Sequence, residues 1–144
     1  MTASPGIRRS ALLLFAHGAR DPEWAAPFRD IAGLVEGMRP DLAVRLSFLE
    51  FQQPALPEAI DGLVAEGHRE IRVAPLFMAQ GGHLKKDVPV LLEGIRASHP
   101  GLRIELLQAI GDAPELRLAI AHWLVRAAPP SSIAGDPSTS GQTA

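Results

Sequence analysis

Four short apolar runs, each followed by a segment whose apolar residues recur every three or four positions, restrict this chain to one class of architecture. The first run, Ala11 to Ala16 (ALLLFA), is apolar without a break, as a strand covered on both faces must be. Pro22 then opens a segment in which Trp24, Phe28, Ile31, Leu34, Val35 and Met38 fall at helical spacing until Pro40. Leu42 to Phe51 reads as a second strand, and Leu56, Ile60, Leu63 and Val64 mark a second helix closed by Gly67. Glu70 to Phe77 is a third strand. After the loop from Met78 to His83, a third helix with Val88, Leu91, Leu92 and Ile95 inward runs to about Ser98 and is broken by Pro100-Gly101. Leu102 to Leu107 is the fourth strand, and Leu116, Ile120, Trp123 and Leu124 mark a last helix.

Strands that alternate with helices pair in parallel, because each right-handed crossover carries its helix onto a face of the sheet. The expectation is therefore a single α/β domain: a four-stranded parallel sheet in the order 2-1-3-4, with helices on both faces, over residues 10–127. The first nine residues are expected to be flexible. Residues 128–144 hold 11 Pro, Gly, Ser and Thr in 17 positions and read as a disordered tail. No internal repeat is visible.

Composition removes several functions. Without cysteine there is no disulfide framework, thiolate metal cluster or cysteine nucleophile. A net charge of -2 gives no general affinity for nucleic acid or an acidic membrane, so any anion site is local. The run Ala11 to Ala16 is far short of the ~18 apolar residues of a membrane span. Arg8 and Arg9 imitate a secretory leader, but the run after them is too short for one and His17, Arg20 and Asp21 follow at once. A cytoplasmic protein is expected.

In an open parallel sheet ligands bind beyond the carboxyl ends of the strands, where the strand order reverses. With the order 2-1-3, Glu50 after strand two, His17 after strand one and His83 after strand three stand along one rim, on strands ~4.8 Å apart. Two imidazoles and a carboxylate suit a divalent first-row metal. They make an incomplete shell, which leaves positions for water, for a ligand, or for a metal that is passed on. Gly81-Gly82 before a helix lets backbone N–H groups approach an anion, and Arg20, Lys85 and Lys86 add charge nearby. Each element has a plainer reading too: a strand-end histidine often only bonds a neighbouring carbonyl, and a lysine pair is usually a solvated first turn. His68, His99 and His122 read as structural or merely exposed.

The blocks LLLFAHGARDP, FLEFQQPALPEAI and VAPLFMAQGGHLKKDVP, in this order and spacing, resemble the short sirohydrochlorin chelatases of the class II chelatase family over about residues 11 to 126. The pairing of AHGxR with PLFxxxGxHxxxDxP is the specific part. The resemblance implies insertion of a divalent metal into sirohydrochlorin, with Co2+ expected ahead of Fe2+ or Ni2+, on the way to cobalamin or sirohaem. It implies that His17 is metal ligand and proton acceptor and that His83 is the second metal ligand. It places substrate contacts on Glu50, Met78, Ala79, Gln80, Gly81 and Gly82, and Glu50 can relay protons. Arg20 and the glycine amides would meet the ring's carboxylates. No tightly bound cofactor is expected, since the metal is itself a substrate. Ala19 stands where a serine often follows HG, and the histidine-rich tract of some relatives is missing. Long relatives join two such domains in one chain, so a homodimer is implied here. Two other classes stay open: a metal or tetrapyrrole carrier using the same residues, and a histidine-type phosphohydrolase, against which Ala16 counts because the RHG signature needs arginine there.

Overall fold

The computed structural model describes residues 10–131, so the expected flexible start and most of the expected tail lie outside the described residues. The strands are β1 (Ser10–Ala16), β2 (Ala43–Phe48), β3 (Glu70–Pro75) and β4 (Arg103–Leu106). They form one parallel sheet in the order β2-β1-β3-β4, the order expected. The helices are α1 (Ala26–Met38), α2 (Leu56–Ala65), α3 (Gly82–Ser98) and α4 (Pro114–Ala127). Short 3-10 turns at Pro22–Ala25 and Ile110–Asp112 lead into α1 and α4.

β1 is central because its side chains can be buried on both sides. Ala11, Leu13 and Phe15 point into the larger core, with Ile60 and Leu63 of α2 and Val88, Leu92 and Ile95 of α3. Leu14 and Ala16 are also buried, and Ala16 meets Phe48, Trp24 and Phe28 in a smaller cluster under α1. Burying one leucine of this kind contributes ~2 kcal/mol, so the apolar run fixes where β1 sits.

Most boundaries fall within one residue of expectation, and three depart in ways that bear on the rim. β2 ends at Phe48, not Phe51: the amides of Leu49 and Glu50 still bond the Ala16 and His17 carbonyls at 2.9 and 3.0 Å, but the chain then turns at Phe51, whose φ is +64°. β3 ends at Pro75, not Phe77, with the Leu76 amide making one last bond to the Phe15 carbonyl at 2.8 Å. α3 begins at Gly82, so His83 belongs to its first turn and not to the preceding loop. That first turn has no side-chain cap, and Pro89 lies inside the helix.

α4 buries none of its residues. Its periodicity is real, but Leu118, Trp123, Leu124 and Val125 are all more than half exposed. A helix with apolar residues over most of its circumference ordinarily lies inside a structure. The joint at its start is firm: Ala113 is buried, and the Arg117 guanidinium donates from Nε to the Gly111 carbonyl at 2.7 Å. A Cβ on Gly111 would stand 1.7 Å from the Met78 carbonyl oxygen, so only glycine lets the turn before α4 touch the loop after β3.

Candidate active site

The strand register builds the rim. Ala16 pairs with Phe48 on β2, and Phe15 pairs with Pro75 on β3, so the next residues of all three strands emerge at one level. His17 is the first residue past β1. It is half-buried, and its ring lies 4.4 Å from that of buried Phe77, tilted by 48°. Phe77 is in turn held edge-on against Phe15, with centroids 5.4 Å apart. The imidazole thus leans on an aromatic column rooted in the core.

Glu50 is joined to His17 through the backbone, its amide donating to the His17 carbonyl at 3.0 Å. Gly18 makes this possible. It has φ +86°, and a Cβ there would stand 1.8 Å from the Glu50 carbonyl oxygen. Glycine is therefore required twice, for its left-handed backbone and for the contact. The Glu50 side chain is exposed to solvent.

The loop after β3 brings Met78 and Ala79 to the surface, with Gln80 half-buried and Gly81 and Gly82 exposed. His83, Lys85 and Lys86 follow on the exposed first turns of α3. Among the described residues no three His, Asp or Glu side chains lie close enough together to hold one ion. A metal taken up at this rim needs ligands from outside the chain to fill its shell, as a metal in transit does. The remaining histidines are used elsewhere: His99 bonds Asp61 at 2.7 Å, His68 is buried beside Glu66 at 3.5 Å, and His122 is on exposed α4.

One rim residue is invisible to sequence reasoning. Phe51 has φ +64° and an exposed ring, over which the Arg20 guanidinium lies 5.0 Å from the centroid. The sequence makes it the last residue of a strand, and a bulky side chain is the one least expected in a left-handed turn.

Residues 11–127 match the CbiX family. The chain belongs to that family. A sirohydrochlorin cobaltochelatase of Saccharolobus islandicus is 38% identical over 103 residues, 68% of this chain and 78% of that protein. One from Methanococcus aeolicus is 33% identical over 82 residues, and the match spans 57% of each. Among solved structures, a CbiX protein from Marinobacter aquaeolei is similar at TM-score 0.71 with 31% identity, covering 82% of this chain and 96% of that one. The sirohydrochlorin chelatase SirB of Bacillus subtilis subspecies spizizenii, in complex with cobalt, is similar at TM-score 0.62 with 26% identity. This CbiX chain covers 50% of that longer one.

Proposed function

We propose that this CbiX-family chain is a sirohydrochlorin chelatase, exchanging the two inner protons of the macrocycle for a divalent metal taken as substrate, Co2+ before Fe2+ or Ni2+. The observation that carries the reading is the placement of His17 at the carboxyl end of the central strand, braced on Phe77 and tied to Glu50. A neutral imidazole there binds the incoming ion or accepts a proton leaving a pyrrole nitrogen. His83, on the exposed first turn of α3, is the second ligand in this reading, and Glu50 carries protons toward solvent. The loop Met78 to Gly82 and Arg20 would hold the acidic ring. Closing metal and ring face to face needs no covalent intermediate, so the protein's contribution is proximity and proton removal. The names of the similar proteins support the substrate; among the described residues no helix is long and apolar enough to cross a membrane.

Mixing the protein with sirohydrochlorin and Co2+, Fe2+ or Ni2+ in turn, and following the visible spectrum of the ring, tests the proposal. Many turnovers per site are expected, fastest with cobalt. One metallated ring per site and no more would make the protein a carrier, and no metallation above the uncatalysed rate would end the chelatase reading.

We further propose that the protein works as a homodimer joined through α4. This chain matches half of SirB, and in this reading a second copy would stand where the other half of SirB stands. Within a single chain α4 leaves Leu118, Trp123, Leu124 and Val125 in water. Light scattering during size exclusion should give twice the 15.4 kDa of one chain. The double substitution Ile120→Asp and Leu124→Asp should give monomers with the sheet intact, because α4 packs on none of the core in the single chain. A monomeric native protein at ~100 μM, well above the Kd of an ordinary stable dimer, would overturn this.

A further inference from the structure

The turn after β2 holds a residue in a conformation that its side chain opposes, and the core makes no use of that side chain. Among the described residues Phe51 is the one non-glycine with positive φ. The Gln52 amide donates to the Glu50 carbonyl at 2.8 Å, which closes a three-residue turn around Phe51, the strained form of that turn. The strain is held from several directions. Phe48 donates to the Pro54 carbonyl at 2.9 Å, Glu50 to His17 at 3.0 Å, and the Gln52 side chain to the Asp21 carbonyl at 3.2 Å. All of this places an aromatic ring in water, 57% exposed, one residue from Glu50. An over-determined, unfavourable conformation that exposes more than half of an aromatic ring is a mark of a binding surface.

Arg20 completes the arrangement. It follows His17 by three residues, lies over the Phe51 ring, and is paired with no carboxylate among the described residues. A guanidinium stacked on an aromatic face keeps its outward N–H groups in a fixed plane, free for a carboxylate. Exposed Leu49 and Met78 lie on the same rim, so the surface beside His17 is partly apolar, with the Arg20 cation next to it.

We infer that Phe51 and Arg20 together form a docking platform for a planar acidic macrocycle, the ring of Phe51 receiving the macrocycle's apolar edge and Arg20 one of its peripheral carboxylates. This rests on the chelatase reading, since only a substrate with both a flat conjugated ring and carboxylate arms uses both groups. Phe51 is then a substrate-binding residue that takes no part in metal capture.

Glycine is the informative substitution, because it suits the backbone that phenylalanine resists. Phe51→Gly should melt no lower than the native protein and bind Co2+ alone unchanged. Its KM for sirohydrochlorin should rise about tenfold, the factor one stacking contact is worth, with kcat nearly constant. Phe51→Trp should restore KM to within about threefold of native. Arg20→Lys should raise KM less than Arg20→Ala, and neither should alter Co2+ binding. An unchanged KM in stable Phe51→Gly would overturn the platform, and so would a lowered melting temperature with KM unmoved, which marks a structural ring. Equilibrium titration with metal-free sirohydrochlorin separates this from failure of the chelatase reading. If the native protein binds the ring without metallating it, and Phe51→Gly binds it about tenfold more weakly, the platform stands and the enzyme reading falls. If the native protein does not bind the ring at all, both fall.

Discussion

His17→Ala should lower the rate of metal insertion by at least ~100-fold while leaving a folded protein, because removal of a positioned proton acceptor costs two to four powers of ten. The stability cost should be small, ~1 kcal/mol, for the ring is half-buried and its main neighbour is Phe77. His83→Ala should also slow insertion. It should leave the melting temperature unchanged, since its side chain is exposed on the first turn of α3. In the proposed roles the two substitutions should weaken binding to a similar extent in a direct titration with Co2+, since each removes one ligand, and should differ in insertion rate, since only His17→Ala also removes a base. Native rates in both folded variants would dismantle the assignment. A native rate in His83→Ala alone would reduce that residue to part of a surface turn.

Gly18→Ala should have the largest effect on the fold. The added methyl would sit 1.8 Å from the Glu50 carbonyl oxygen, in a backbone at φ +86° that alanine avoids. Left-handed backbone costs ~1–2 kcal/mol for a residue with a Cβ, and forcing atoms into a filled contact typically adds ~1–3 kcal/mol. A fall in melting temperature of roughly 10 °C follows for a domain of this size. Activity should fall further than stability does. The contact that must open is the one that ties the residue after His17 to Glu50, so the surviving folded molecules carry a displaced rim. Thermal denaturation beside turnover, at a temperature where both proteins are folded, separates the two losses. Equal melting temperatures would mean that the chain after β1 relaxes more freely than this packing allows.

The legible part of the fold was that governed by local pattern. An unbroken ALLLFA run can only be a strand buried on both sides, and the handedness of crossovers then leaves few arrangements, of which 2-1-3-4 is the one found. That His17 and Glu50 are neighbours was legible for the same reason, since strand ends in a known order have known neighbours, but the expected meeting of both with His83 in one ligand group is not found among the described residues. The extent of β2 was not legible, because LSFLEF keeps an apolar content that suits a strand to its end. What stops it is the left-handed turn at Phe51, which no local composition encodes. Phe51 was hidden for a stronger reason: the sequence rule argues against the conformation it adopts. In α4 the spacing of Leu116, Ile120 and Leu124 announces a helix but says nothing of what the helix packs on. His83 fell on the wrong side of a boundary because two glycines read as loop, although Gly81 serves as the cap and Gly82 as the first helical residue.

Pro89 gives the two histidines supports of unequal stiffness. Lacking an N–H, it leaves the Lys85 carbonyl without its helical partner, and the bond from the Lys85 amide to Gly81 is long at 3.3 Å. No fully buried residue anchors α3 before Val88. The turn that carries His83 is thus held to the core chiefly by half-buried Leu84, while His17 lies against an aromatic column. If both histidines are ligands as proposed, a shift of the α3 turn alone would be enough to take up a metal and to surrender it to a stronger host, with the sheet left in place.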